Sequence, residues 1–492
     1  MSHLHKLTIK AALNGLKNKD FSSVELTQAH FTQIKKHQGL NAYITLDEEG
    51  AMSAAVKADK NIAAGNMGLL EGIPVGVKDL FCTKGIRTTA CSKMLSNFIP
   101  EYNSTVFNKM LANGAVMLGK TNCDEFAMGS SNLTSYFGKC INPWRSKTAP
   151  EKELVPGGSS GGSACAVASF TAMATLGTDT GGSIRQPAAF TGTVGIKPTY
   201  GRCSRFGVIA FASSLDQPGV FARSVYDAAL ALEAIMGFDE KDSTSTNLEV
   251  PNLLKDIDAP VTGVKIGIPV NLLKQEGIDP QITQMWMATA DALKAQGCEL
   301  VDVELKHANY ALPVYYVIAP AEASSNLARY DGVRYGFSSS EATNLNDLYE
   351  LSRSAGFGAE VKRRIMIGTH VLSAGFIDAY YTQAQKVRRL IYNDFMDAFT
   401  KVDAILMPSA PTESFAVDVK QDNPIDMYLN DIFTIPPSLA GLPASSVPAA
   451  LSKNGLPLGM QVVGKHFDEV MVVRISQAIE RSFALQLIAD GF

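Results

Sequence analysis

The sequence lacks the cysteine and histidine patterns of several protein classes. It has no Cys-x-x-Cys pair, and its cysteines are odd in number and scattered, at positions 82, 91, 123, 140, 165, 203 and 298. This usage is typical of reduced thiols in a cytosolic protein, and it disfavours a zinc site. The histidines are scattered as well, and no pair has the spacing of a helical metal site. We therefore expect no metal ion in this chain.

Long apolar runs and blocks of positive charge are also missing. The most apolar long stretch, 163–177, is too short and too rich in Ala, Ser and Thr to span a membrane comfortably. The N-terminus has no basic region followed by a long apolar stretch, so we expect no signal peptide. A formal charge of −4 without a Lys/Arg run disfavours tight nucleic-acid binding by this chain alone.

Strand-like and helix-like segments alternate along the 492 residues, which indicates an α/β protein. A capping box at Ser22–Glu25 predicts an early helix. The remaining segments are of two types. Strands are predicted at 73–77, 115–119, 175–178, 264–269, 404–407 and 458–463, and helices at 106–113, 163–174, 283–296, 360–384 and 469–483. We predict a Pro-flanked loop at 423–437 and a polar surface excursion at 238–263. We expect one domain over 1–492, with a helical N-terminal segment at about 1–65.

Glycine and serine are concentrated in the middle of the chain. Residues 157–185 contain seven of the 40 glycines and five serines. Most of these glycines are paired, and a helix-like and a strand-like stretch separate the pairs. A flexible linker would have no such interior structure, so we interpret the segment as backbone that turns tightly or approaches another group closely.

Three motifs in this order carry the candidate chemistry. They are Gly72-Ile-Pro-Val-Gly-Val-Lys-Asp79, Pro156-Gly-Gly-Ser-Ser-Gly-Gly-Ser163 and Gly177-Thr-Asp-Thr-Gly-Gly-Ser-Ile-Arg-Gln-Pro-Ala188. Together they resemble the amidase signature family, whose members cleave carboxamides with a Ser–cis-Ser–Lys triad. The resemblance implies a central mixed β-sheet covered by helices on both faces. It also implies that Ser183 is the nucleophile, Ser159 the bridging serine after a cis peptide bond, and Lys78 the base.

Elementary chemistry is consistent with these roles. A serine needs a neighbouring base to become a nucleophile, and none of the three motifs contains a histidine. A lysine can serve when burial disfavours its charged form, and a serine hydroxyl can relay the proton because it both donates and accepts. A surface lysine and a serine in a turn are the alternatives for each residue taken alone. The second motif lacks the Gly-Lys-Ser/Thr ending of a phosphate-binding P-loop.

The segment Thr180-Gly181-Gly182-Ser183 offers successive backbone N–H groups with little side-chain bulk. Such groups can surround the oxyanion of a tetrahedral intermediate. A helix from Ile184 onward would favour the same negative charge through its N-terminal dipole. For Asp179 and Arg185 we predict a structural ion pair.

Further motifs make the resemblance more specific. The segments 124–131, 197–202, 212–217, 329–336, 360–366 and 428–432 look like those of the glutaminase-subunit branch of the tRNA-dependent amidotransferases. That branch hydrolyses glutamine and passes ammonia to a partner protein, where the tRNA-bound glutamate or aspartate is amidated. The resemblance implies B and C subunits as partners, no cofactor in this chain, and ATP and Mg²⁺ at the partner subunit. It also implies tRNA contact mainly through the partner, and a bacterial cytoplasm or organellar matrix.

Free glutamine carries two opposite charges, so its pocket needs two opposite charges in turn. By the resemblance, Arg363 would hold the carboxylate and Asp431 the amino group, with Ser130 and Tyr315 lining the pocket; an arginine fork suits a carboxylate. The choice of Arg363 over Arg364 rests on the resemblance alone, and a solvated helix face is its alternative. A stand-alone amidase and a non-catalytic scaffold subunit remain as other functions. The sequence leaves open whether Gln-tRNA, Asn-tRNA or both are made.

Overall fold

The fold is built on one large mixed β-sheet. A computed structural model describes residues 3–275, 277–419, 424–489 and 491. Within them, eleven strands form one sheet in the order β1-β3-β2-β4-β6-β5-β10-β11-β9-β7-β8. The strands are β1 Tyr43–Leu46, β2 Pro74–Lys78, β3 Val116–Thr121, β4 Ala174–Asp179, β5 Val194–Lys197, β6 Gln217–Ala222, β7 Lys265–Pro269, β8 Glu299–Val303, β9 Ala404–Pro408, β10 Ala444–Leu451 and β11 Pro457–Gly464.

Fifteen α-helices accompany the sheet in the described residues. They are α1 Ile9–Asn18, α2 Ser23–Lys36, α3 Glu48–Ala63, α4 Thr105–Ala112, α5 Gly161–Ala168, α6 Arg185–Thr191, α7 Val225–Glu233, α8 Pro280–Ala295, α9 Ala311–Asn326, α10 Leu345–Gly356, α11 Ala359–Val371, α12 Gln383–Phe399, α13 Pro424–Leu429, α14 Ile435–Leu439 and α15 Glu469–Phe483. Every residue of β2, β3, β4, β9 and β11 is buried, so helices cover both faces of the sheet. The predicted mixed α/β sheet is confirmed.

Strand direction places the candidate motifs at one edge of the sheet. β2 is parallel to β4, with Val77 opposite Leu176. Their carboxyl ends, Lys78 and Asp179, therefore lie at the same edge, which is where α/β proteins commonly bind ligands. β3 is parallel to β2, so its carboxyl end lies at this edge as well. The glycine-rich segment reaches the same edge where α5 begins, because Gly162 donates to the carbonyl of Asn122, just beyond β3.

Most local predictions are confirmed. Ser22 and Glu25 form the predicted capping box at the start of α2. All six predicted strands are present, as are the helices at α4, α8 and α15. The N-terminal segment contains three α-helices, but it also contributes the strand β1, which pairs with β3. That strand was not predicted.

Three predicted boundaries were wrong. The helix predicted at 163–174 ends at Ala168, because Phe170 takes a φ of 56° and turns the chain toward β4. The helix predicted at 360–384 is divided after Val371, and Gly375 lies in the break with a φ of 86°. The loop predicted at 423–437 contains the short helix α13 and the beginning of α14, which ends at Leu439; Asn423 itself lies outside the described residues.

Candidate active site

The first candidate residue, Lys78, is the last residue of β2 and is fully buried. Its Nζ lies 2.8 Å from the hydroxyl oxygens of Ser159, Ser160 and Thr178. Burial lowers the pKa of Lys78 to about 8, although the nearby Cys123 and Asp124 favour the charged form. A substantial fraction of Lys78 is therefore neutral just above neutral pH, as a general base requires.

Ser159 lies between this lysine and the third motif. It follows a cis peptide bond, Gly158–Ser159, and its carbonyl accepts from the N–H of Asp124 at 3.1 Å. The N–H of the next residue, Ser160, donates to the carbonyl of Ser183 at 3.2 Å. The structure thus brings together the three residues that the sequence predicts as a triad, Lys78 and Ser159 through a direct hydrogen bond.

A buried ion pair fixes the end of the segment 180–183, which we call the oxyanion loop. Arg185 Nη2 lies 2.8 Å from Asp179 Oδ1, and neither side chain is exposed. Burial would raise the pKa of Asp179, but Arg185 outweighs it and lowers that pKa. The same carboxylate accepts from the N–H groups of Ile184 and Arg185 at 3.2 and 3.4 Å. The structural ion pair predicted for Asp179 and Arg185 is confirmed, and α6 begins directly after the loop.

The two glycines of the oxyanion loop are closely approached by the predicted substrate-binding side chains. A Cβ atom on Gly181 would lie 2.8 Å from Cζ of Tyr315. A Cβ atom on Gly182 would lie 2.9 Å from Asp431 Oδ1 and 2.2 Å from Thr434 Oγ1. Tyr315 and Asp431 therefore lie against the loop, and only glycine allows this approach.

Asp431 is a candidate to bind a positively charged group. Its side chain is buried, and its Oδ1 has no hydrogen-bond partner among the described residues. Burial, together with the nearby carboxylate of Asp179, raises the pKa of Asp431 well above its usual value. A charged carboxylate is costly at a buried site with an unpartnered oxygen, and a cation bound beside Asp431 would favour its charged form.

Ser130 connects two parts of the site. Its hydroxyl donates to the carbonyl of Met427 at 3.0 Å, and its carbonyl accepts from Gln186 Nε2 at 3.1 Å. Gln186 also accepts from the N–H of Gly158, directly before the cis bond. Ser130 thus lies beside the candidate site, with its hydroxyl occupied by a backbone carbonyl.

The two neighbouring arginines of α11 have different surroundings. Arg363 is 44% exposed and forms an ion pair with Glu360. Arg364 is 3% exposed, bonds the other oxygen of Glu360 at 2.8 Å and lies over the rings of Tyr316 and Tyr428. The positive charge of Arg364 acts to lower the pKa of Asp431. The two side chains are therefore close enough to interact electrostatically. The position of Arg364 suits a buried substrate better than that of Arg363.

Sequence reasoning missed three contributors to the site. Ser160 and Thr178 complete the contacts of Lys78, and the buried Asp216 accepts a hydrogen bond from Thr180 Oγ1 at 2.7 Å. Ser160 and Thr178 lie inside the motifs, and their hydroxyl groups were the signal that could have identified them as partners of a buried lysine.

Among the described residues no cluster of His, Cys, Asp or Glu could hold a metal ion. No helix formed by the described residues is long and apolar enough to cross a bilayer.

A buried lysine that contacts a serine beside a glycine-rich loop is the geometry that a serine hydrolase with a lysine base would need. The chain matches the amidase family over residues 25–473, and it belongs to that family. Among solved structures, a native peptide amidase from Stenotrophomonas maltophilia has a TM-score of 0.82 at 28% identity, with 97% of each chain covered.

More similar relatives have a more specific name, the A subunit of glutamyl-tRNA(Gln) amidotransferase. The chain is 58% identical to the protein of that name from Orientia tsutsugamushi (strain Ikeda), over 100% of both chains. It is 59% identical to its counterpart from Rickettsia bellii (strain OSU 85-389), over 98% of this chain and 97% of the relative. The crystal structure of the Thermotoga maritima counterpart has a TM-score of 0.80 and 40% identity, and covers 97% of this chain and 95% of that one.

Proposed function

We propose that this chain is the glutamine-hydrolysing component of a tRNA-dependent amidotransferase. The observation that carries the proposal is the buried hydrogen bond from Lys78 to Ser159, beside a loop that ends in Ser183. The full-length similarity to glutamyl-tRNA(Gln) amidotransferase proteins narrows the substrate from any amide to glutamine.

The proposed chemistry begins at Ser183. Its Oγ attacks the side-chain carboxamide carbon of glutamine, while its proton passes through Ser159 Oγ to neutral Lys78. Backbone N–H groups of Thr180, Gly181, Gly182 and Ser183 stabilise the oxyanion, and removal of one such donor in other enzymes costs about 3–4 kcal/mol. When the intermediate collapses, the proton returns to the leaving nitrogen, and ammonia departs. Water then hydrolyses the glutamyl ester to glutamate and restores Ser183.

The charged ends of glutamine explain the polar groups around the loop. Asp431 would bind the ammonium group, because its buried Oδ1 has no partner among the described residues. An arginine of α11 would bind the carboxylate. The resemblance of the motifs favours Arg363, whereas burial and the aromatic surroundings favour Arg364. We propose Arg364, with Tyr315 as a wall of the pocket.

Ammonia released here has to reach a second active site. By similarity to its relatives, the chain would work with B and C subunits, in a bacterial cytoplasm or an organellar matrix. ATP and Mg²⁺ would act at the partner subunit, which would also make the main contacts with tRNA. In this chain we propose no cofactor, because the Ser–Ser–Lys chemistry needs none.

The test uses the assembled complex and two serine variants. Ser183→Ala should abolish amidation with glutamine but preserve amidation with free ammonium salt, because free ammonia bypasses the hydrolytic site. Ser53→Ala, at an exposed position of α3, is the matched control and should support both reactions. Near-normal glutamine use by Ser183→Ala would refute the assignment. A wild-type chain that is active alone on simple amides but inert toward glutamine would establish a stand-alone amidase instead.

A further inference from the structure

A carboxylate outside the triad is hydrogen-bonded to the first residue of the oxyanion loop. β4 and β6 are antiparallel, with Asp179 opposite Gln217. The next residue of one strand and the preceding residue of the other, Thr180 and Asp216, therefore face each other beyond the strand ends. Thr180 Oγ1 donates to Asp216 Oδ1 at 2.7 Å, and both residues are buried.

The two oxygens of Asp216 have separate tasks. Oδ2 accepts from the N–H groups of Phe211 and Ala212, at 2.8 and 3.0 Å, and so closes the turn that precedes β6. The described hydrogen bonds give Oδ1 one partner, the hydroxyl of Thr180. A carboxylate needed only for the turn would not require this second contact.

We propose that Asp216 is a positioning residue that holds Thr180, and with it the start of the oxyanion loop, in the orientation that amide hydrolysis needs. The proposal rests on the proposed function only to the extent that Ser183 is the nucleophile. Asp179 anchors the far end of the loop through the N–H groups of Ile184 and Arg185. Asp216 anchors the near end, so the loop is tethered by a carboxylate on each side.

These two carboxylates differ in how they titrate. Arg185 holds the pKa of Asp179 below its usual value, so Asp179 stays charged. Burial raises the pKa of Asp216 to about 6, against the lowering effect of its hydrogen bonds to Thr180, Ala212 and Phe211. Of the two anchors, Asp216 is therefore the one that gains a proton in mildly acidic solution.

Charged and titratable groups surround Asp216 on several elements. Glu322 of α9 raises the pKa of Asp216 further, and the charge of Asp216 in turn acts on Tyr200, Arg205 and Tyr315. Asp216 also lines a cavity of about 280 Å³ together with Arg205, Lys241, Asp242 and Arg329. Lys241 and Arg329 are exposed, so protons from solvent can reach the carboxylate through this cavity.

The experiment compares Thr180→Val, Asp216→Asn and the double variant, with Asp242→Asn as control. Asp242 lines the same cavity but pairs with Arg205 instead of Thr180. Each single variant should lower kcat about 10- to 100-fold with little change in KM, because misplaced donors act mainly on the transition state. The double variant should lose no more than the more damaging single variant, since both substitutions disrupt the contact between Thr180 and Asp216. Asp242→Asn should stay near wild type.

The pH profile gives a second readout. In the wild type, log kcat should fall with slope one below the pKa of Lys78, about 8, and fall more steeply below about pH 6, where Asp216 is protonated. In Asp216→Asn the steeper part should vanish. Wild-type kcat in both single variants, losses that multiply in the double variant, or an unchanged pH profile in Asp216→Asn would each overturn the proposal.

Labelling of Ser183 by a small fluorophosphonate makes this test independent of the natural substrate. The phosphoryl oxygen of the reagent occupies the oxyanion position, so the labelling rate depends on the oxyanion loop. Labelling should slow in Thr180→Val and Asp216→Asn, even in a protein that does not accept glutamine. A wild-type chain that is labelled but inert toward glutamine would refute the proposed function and leave Asp216 testable. Unchanged labelling rates in both variants, or failure of wild-type Ser183 to react, would refute the role of Asp216. If Asp216→Asn does not fold, Thr180→Val alone decides the outcome.

Discussion

Lys78 Nζ lies 2.8 Å from Ser159 Oγ in a fully buried environment. This contact joins the carboxyl end of β2 to the glycine-rich segment before α5, two parts of the chain that are 81 residues apart. Burial disfavours the lysine charge, so Lys78 can serve as the base that we propose. The contact links it to a hydroxyl that can relay a proton.

The first prediction concerns the protonation of Lys78. Its pKa is lowered to about 8, so the neutral, active form increases as pH rises through that value. We expect kcat for amide hydrolysis to rise with pH and to level off above about 8. Lys78→Arg should be almost as inactive as Lys78→Ala, because arginine stays charged at any working pH. Steady-state kinetics across neutral and alkaline pH measure both effects, and substantial activity in the arginine variant would exclude Lys78 as the base.

The second prediction concerns the ends of glutamine. Asp431→Ala and Arg364→Ala should each lower kcat/KM for glutamine. The expected loss of transition-state binding energy is about 2–5 kcal/mol, the usual cost of leaving a buried charge unpaired. For a simple aliphatic amide, which has neither charge, the loss should be much smaller. Comparison of kcat/KM on both substrates measures the difference.

Arg363→Ala is the matched variant for this test. Arg363 is half-exposed and paired with Glu360, so its removal should cost less on glutamine than removal of Arg364. The reverse order would show that the carboxylate binds Arg363. Equal losses on both substrates, for Asp431 and for either arginine, would mean that these residues support the fold alone.

The third prediction concerns the close packing at Gly182. In Gly182→Ala the new methyl group would lie 2.2 Å from Thr434 Oγ1 and 2.9 Å from Asp431 Oδ1, so the oxyanion loop must shift. We expect kcat to fall about 100-fold or more on glutamine and on the aliphatic amide alike. Gly39→Ala is the control, because among the described residues no atom apart from those of Gly39 and its two chain neighbours lies within 4 Å of the added methyl group. Normal turnover in Gly182→Ala would show that this loop does not bind the oxyanion.

Much of the fold could be predicted because its signals are local. β2 and β4 are short apolar runs that end in polar residues, and α2 begins with a capping box. The break after Val371 was not predicted, because an isolated glycine such as Gly375 can also occur inside a helix and is a weak signal by itself. β1 was missed because its pairing with β3 depends on a contact distant in sequence.

Contacts distant in sequence also limited prediction of the site. The resemblance of three motifs to the amidase signature family predicted Lys78, Ser159 and Ser183 as the triad, and the structure places Lys78 in hydrogen-bond contact with Ser159. The choice between Arg363 and Arg364 depends on which side of α11 faces the aromatic rings, and adjacent charged residues do not reveal this. The contact between Asp216 and Thr180 depends on the register of β4 and β6, which no local pattern specifies.

The most direct test of the central claim is identification of the covalent intermediate. The assembled complex is acid-quenched during steady turnover of glutamine, digested, and analysed by mass spectrometry. We predict a glutamyl ester on Ser183 in the wild type and none in Ser183→Ala. A glutamyl adduct on another residue, or ammonia release by Ser183→Ala at the wild-type rate, would contradict the assignment of Ser183 as the nucleophile.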